Sequence, residues 1–257
     1  MEEGQKCYMC NAPAVSMEHV PPKCIFPEIR ETGGHDYRKE LLRVPSCDVH
    51  NSRKSHDDEF LMVSLAGIVG NNSIGYEHYH TKVQRALART SSKLLDQVFK
   101  NKESFEVEKN NEFMQIIMGN PDYDRLIRCF EHIAHGIHRH HFECNFTGQL
   151  MAILGFIYNA VEDAENFKKM VSKKVTIELE GKEKYGRNPD VFYYQFTDVD
   201  EFGLFVGKFC FYRNVEVFVA FKPDDAKEPF NLAVALMNSG IQTTFHFDDE
   251  EFTFNKG

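Results

Sequence analysis

The chain lacks any run of about 18 uncharged apolar residues, the length a membrane-spanning helix needs. Its opening Met1-Glu2-Glu3-Gly4 has neither the basic nor the apolar stretch of a signal peptide. A cytoplasmic protein with no membrane partner is the expectation. Internal repeats and low-complexity tracts are missing as well, which leaves an ordinary globular architecture. Positive charge is in short supply: 30 Lys and Arg against 39 Asp and Glu give a net charge of −9. That balance argues against a protein that coats nucleic acid non-specifically, though not against a nuclease whose contacts are local. Four of the seven cysteines, Cys24, Cys129, Cys144 and Cys210, have no partner at motif spacing and read as small hydrophobes.

What the sequence does have is material for a core. Its 257 residues are 42% hydrophobic and include 23 Phe, enough for one or two domains. Three zones can be read. Residues 1–65 are polar and rich in Cys, His and Pro, with too few aliphatic residues for a core of their own, so compact folding there calls for a metal or a neighbouring domain. Residues 66–173 read as helical: Val83, Leu87, Leu94, Leu95 and Val98 recur at helical spacing before a polar stretch at 101–111. Asn120-Pro121-Asp122 signals a helix start, with Leu126, Ile127, Phe130, Ile133 and Ile137 as its stripe. A further helix is expected from Thr147 to Val171 on the period of Leu150, Leu154, Ile157, Tyr158 and Val161. Residues 174–257 read as an antiparallel sheet. The expected strands are Val175–Leu179, Phe192–Phe196, Leu204–Tyr212, Val215–Phe221, Ile241–Phe247 and Phe252–Phe254, with a tight turn at Arg213-Asn214 and a short helix at Leu232–Met237. The fold class is α+β.

The chemistry is concentrated in the first sixty residues. Cys7-x-x-Cys10 is followed by Cys47-x-x-His50, three thiolates and an imidazole, the ligand set of a closed tetrahedral zinc site. Zinc there would tie two distant turns together and stand in for the missing core. Between the pairs lies Glu18-His19-Val20-Pro21-Pro22-Lys23; after them come Asn51, Lys54, His56, Asp57, Asp58 and Glu59.

In this frame the sequence resembles the HNH endonucleases, a branch of the ββα-metal nucleases. The resemblance spans about residues 5–60, over Cys7/Cys10, Glu18-His19 with Pro21, Cys47/His50, Asn51 and Lys54. It implies a hairpin and a helix clasping one catalytic Mg²⁺ or Mn²⁺, with His19 as general base, Glu18 and Asn51 as metal ligands and DNA as the substrate. The residue types suit phosphodiester hydrolysis. A neutral imidazole can take a proton from water near neutral pH, and a hard cation held by few protein oxygens stabilises charge on the phosphorane. Lys54 is a candidate phosphate contact, and His56 and Glu59 are further candidate metal ligands. The chain departs from the pattern at Leu41 and Leu42, where many members carry Asn, and at Glu18, where Asp is commoner. Pleating would aim Glu18 and His19 to opposite faces of a strand, so serving one site requires the strand to end or bend there. Asp57-Asp58-Glu59 also fits the ordinary role of acids in a helix's first turn.

Weaker signals lie further on. Lys82, Arg85, Arg89 and Lys93 share a helix face and read as a phosphate-tracking stripe or a solvated face. His132, His135, His138, His140 and His141 read as a second metal site or as packed and solvated histidines, and Asp248–Glu251 as an acidic turn or a docking patch for a basic partner. Three functional readings follow: a metal-dependent endonuclease; a non-catalytic zinc module that recognises nucleic acid or a protein; and an HNH effector of bacterial anti-phage defence, triggered by a protein partner or small molecule. Oligomeric state is not legible.

Overall fold

The computed structural model describes residues 5–52, 55–90, 93–109, 112–228 and 231–256. It is a mixed α/β fold with helices and antiparallel sheets. At the N-terminal end a Cys7–Cys10 knuckle leads into β1 (Ser16–His19), which pairs antiparallel with β2 (Arg43–Ser46), Glu18 opposite Val44 and His19 opposite Arg43. The long connection between them holds two short 3-10 turns, Lys23–Ile25 and Ile29–Glu31. After β2 come α1 (Asp48–Ser52) and α2 (Ser55–Ala66).

The next segment is helical in pieces: α3 (Ser73–His78), a wider π turn (Tyr79–Val83), α4 (Gln84–Arg89) and α5 (Lys93–Val98). Asn72 caps α3, its side chain accepting from the Gly75 amide. The polar stretch after Val98, inside the zone expected to be helical, is instead a two-stranded hairpin of β3 (Phe99–Lys109) and β4 (Glu112–Pro121). The missing hydrophobic alternation is physically reasonable, because these strands pair only with each other.

α6 (Tyr123–Phe142) starts where the Asn-Pro-Asp signal places it, with Asp122 accepting from the Arg125 amide, and Glu143 at φ 59° ends it. Its stripe, Leu126, Cys129, Phe130, Ile133, Ala134 and Ile137, is fully buried. Gly136 sits on the same helix where it crosses the turn after β1; a Cβ there would come within 2.7 Å of the Val20 side chain.

Two sequence expectations are corrected next. The helix expected from Thr147 is the strand β5 (Gly148–Leu154), and the strand expected at Val175–Leu179 lies at the end of α7 (Glu162–Glu178). Leu150 and Leu154 are four apart, but also an even number apart, so they satisfy either period. The strand wins because β5 pairs with β9 over seven residues. Val171, Val175 and Leu179 are likewise compatible with both periods, and there the helix wins, leaving Ile177 half exposed.

The main sheet runs in the order β5-β9-β8-β7-β6, with β6 (Tyr185–Asn188), β7 (Phe192–Phe196), β8 (Phe205–Phe211) and β9 (Val215–Pro223) all antiparallel. Tyr212 and Arg213, both at positive φ, turn β8 into β9, one residue earlier than expected. One face presents Phe209, Phe211, Val217, Val219 and Phe221 to α6, with Phe130 tilted against Phe211 and His138 stacked on Phe221. The other face carries α7 on a small cluster of Val175, Leu179 and Phe218. The chain ends with α8 (Leu232–Asn238) and the hairpin β10 (Thr243–Phe247) to β11 (Glu250–Phe254), which packs against α7. One continuous core runs from Cys7, Tyr8, Val20 and Ile25 through α2 and α6 to the sheet, so the N-terminal segment borrows apolar partners from the rest of the chain.

Candidate metal and catalytic site

The knuckle forms because the Cys7 amide donates to the Ala12 carbonyl, while Tyr8 N–H donates to Pro45 O and so fastens the knuckle to β2. Cys47 stands between β2 and α1, and His50 lies on α1 itself. Cys7 Sγ, Cys10 Sγ and Cys47 Sγ lie 3.3, 3.6 and 3.3 Å from His50 Nδ1, and Cys10 Sγ is 3.9 Å from Cys47 Sγ. Tetrahedral bonds of about 2.3 Å to sulfur and about 2.0 Å to nitrogen require edges of roughly 3.5–3.8 Å. All four ligand atoms fall within 4.8 Å of one another, an arrangement compatible with structural zinc. Asn145, just beyond α6, braces the knuckle from behind by donating to Cys7 O at 2.8 Å.

Glu18 and His19 occupy the far end of β1 and, as pleating dictates, face opposite ways. Glu18 is buried, with its carboxylate against the Tyr8 phenol. Burial pushes the Tyr8 phenol far above its usual range; the negative charge of Glu18 adds to this, and that of Asp58 adds further. Glu18 therefore meets the buried tyrosine directly, and Asp58 of α2 acts on it through its charge. Asp58 is held in register by its backbone, whose carbonyl accepts from the Cys24 thiol at 3.1 Å.

His19 is half buried. Its Nε2 accepts from Arg43 Nε–H at 3.2 Å, which places the imidazole's own proton on Nδ1. Burial lowers its pKa below the usual imidazole value, the Arg43 and Lys23 charges lower it further, and Glu18 opposes them. The ring is thus neutral near physiological pH and holds a lone pair.

Asn51 is exposed and donates from Nδ2 to Ser16 Oγ at 2.9 Å. Ser16 and Glu18 share a face of β1, about 6–7 Å apart, so Asn51 stands on the Glu18 side, one pleat nearer the Cys/His cluster. Lys54 lies outside the described residues, as does the side chain of His56. Glu59 points elsewhere, 3.5 Å from Arg89, and Asp57 pairs with Arg125 at 2.7 Å, which joins α2 to α6. Among the described residues the Cys/His quartet forms the one cluster of three or more metal-ligating side chains. Glu18 and Asn51 make no comparable group, and the geometry does not place a catalytic ion.

The basic stripe is largely neutralised within the fold: Lys82 faces Glu28 at 3.7 Å, Arg85 binds the buried Glu31, and Arg89 faces Glu59, while Lys93 is exposed. The α6 histidines pack rather than ligate. His138 is buried beside Phe221 and His141 meets Tyr194 Oη at 3.3 Å. The acidic turn at Asp248–Glu250 closes on Lys173 of α7.

Sequence reasoning missed the roles of Tyr8 and Arg43. Tyr8 could have been suspected, since a residue inside a C-x-x-C knuckle must sit beside its ligands. Arg43 carried no signal, because its register against His19 depends on how the long connection closes. Comparison with protein-family models, with curated proteins and with solved structures finds no match to this chain.

Proposed function

We propose that the chain is a metal-dependent endonuclease of the HNH type acting on DNA. The observation that carries this reading is the shared scaffold: one short hairpin holds the Cys/His quartet at its root and Glu18-His19 at its far end, with Glu18 against the Tyr8 phenol inside the knuckle. His19 accepts a proton from water at Nε2, the hydroxide attacks phosphorus, and the 3′ oxygen departs. The neutral ring and its fixed tautomer support that role. Glu18, with Asn51 on the same strand face, is the oxygen pair for a divalent ion, which when bound would neutralise charge on the pentavalent phosphorus. The zinc quartet has no part in the chemistry; it holds the hairpin's shape.

The test is supercoiled-plasmid cleavage in Mg²⁺ or Mn²⁺ by wild type and His19→Ala, with bound zinc quantified in both. Nicking by wild type alone, with equal zinc, is expected. Equal nicking by both would remove His19 as the base. DNA binding without cleavage under either metal would favour the second reading, a zinc module that recognises nucleic acid without cutting it.

A further inference from the structure

We propose that Arg43 is the residue that seats the substrate phosphate, and that in doing so it uncovers the base. The inference rests on the endonuclease reading of this site. In the structure Arg43 spends its Nε–H on the one imidazole nitrogen that could take a proton. While that bond stands, His19 is neutral and correctly tautomerised but blocked.

Two features say that the bond is made to be exchanged. It lies on an exposed cross-strand pair at the end of the β1–β2 hairpin, where a neutral acceptor gives a hydrogen bond of modest net strength. Arg43 also has no carboxylate partner among the described residues, unlike Arg30, Arg38, Arg85, Arg89, Arg125, Arg187 and Arg213. Lys23, exposed in the turn that follows Pro22, likewise pairs with no acid among the described residues, and its charge reaches His19. A chain of net charge −9 thus keeps, beside one imidazole, two cations with no acidic partner among the described residues.

A guanidinium fork binds a phosphate diester through two parallel N–H bonds, roughly twice as strong as neutral ones. An incoming backbone phosphate therefore outcompetes His19 for Arg43. Seating the phosphate and releasing Nε2 become one event, so the base is exposed only when there is a substrate to act on.

The experiment separates binding from chemistry. Binding of a fluorescein-labelled DNA duplex of about 20 base pairs is measured on zinc-loaded His19→Ala protein, with and without Arg43→Ala, between about 50 and 200 mM salt. The expected result is about tenfold weaker binding for the double variant and a salt slope smaller by about 1, partly restored by Arg43→Lys. In cleavage by the single variant, Arg43→Ala raises KM by a similar factor and leaves kcat within about threefold, because the base is no longer covered. Lys174→Ala, on the exposed side of α7, serves as the charge control. Melting temperature and zinc content are recorded for each variant, with Arg43→Gln as the substitute if Arg43→Ala does not fold. Unchanged affinity and slope would overturn the proposal, and so would a kcat collapse at unchanged KM. Arg43-dependent binding by a wild type that does not cleave would support the phosphate seat while sinking the nuclease reading.

Discussion

At the scale of single residues, the site depends on contacts that no motif displays. The charge of Asp58 acts on the buried Tyr8 phenol, as that of Glu18 does, whereas its neighbours Asp57 and Glu59 are spent on arginines. Asp58→Asn is therefore expected to lower plasmid nicking at least tenfold at unchanged zinc content; activity equal to wild type would detach Asp58 from the site. Gly136 matters for a steric reason. Alanine normally improves a helix interior by up to about 1 kcal/mol, but here the new Cβ meets Val20 at 2.7 Å. Overpacking of this kind costs about 1–3 kcal/mol, so Gly136→Ala should lower the urea midpoint. Adding Val20→Ala should recover part of that loss, and a purely additive double variant would contradict the steric account.

At the scale of elements, the Cys/His quartet bridges the knuckle and the start of α1, pieces that share no sequence neighbourhood. Cys10→Ser should abolish stoichiometric zinc and lower Tm by roughly 10 °C, as a loss on the order of 3–4 kcal/mol would in a chain of this size. An unchanged Tm with zinc absent would show the staple to be dispensable. The quartet was fully legible because ligand spacing is a local property of the sequence, and α6 and strands β7 to β11 were legible because a cap, a stripe or an alternation marks each. β5 and α7 were exchanged for a definite reason. Residues spaced by four fit a helix turn and also one face of a strand, so only the partner that covers them decides. The β3–β4 hairpin was hidden because a two-stranded ribbon needs no apolar face. The Arg43–His19 pair was hidden because register across a connection of more than twenty residues is a tertiary outcome.

At the scale of the whole molecule, the connection between β1 and β2 is held by residues far along the chain. His78, fully buried, donates from Nε2 to Cys24 O at 3.0 Å. Burial lowers its pKa to about 4, the main cause, with the Cys24 carbonyl and Glu31 opposing. The sign follows from linkage. Above about pH 6.5 the ring is neutral both folded and unfolded. As pH falls toward 4 the unfolded chain takes up a proton that the folded chain refuses, so stability present at neutral pH is lost. Tm should drop between about pH 7 and about pH 4.5, and the drop should be shallower in His78→Gln, which keeps a donor but does not titrate. Parallel profiles would remove His78 as a source of acid lability.

The same connection is fastened a second time: the buried Tyr212 hydroxyl donates to Ile25 O at 2.5 Å, across 187 residues of sequence. On the ribosome this imposes an order of completion. All four members of the Cys/His quartet emerge within the first fifty residues, so a metal could be taken up early, yet the Ile25 carbonyl has no hydroxyl to accept from until the β8–β9 turn has been made. Contacts of such long range form late. A nascent chain thus carries the complete Cys/His quartet and the Glu18-His19 pair before the connection beside them is fastened, and a product truncated before Tyr212 would lack that fastening.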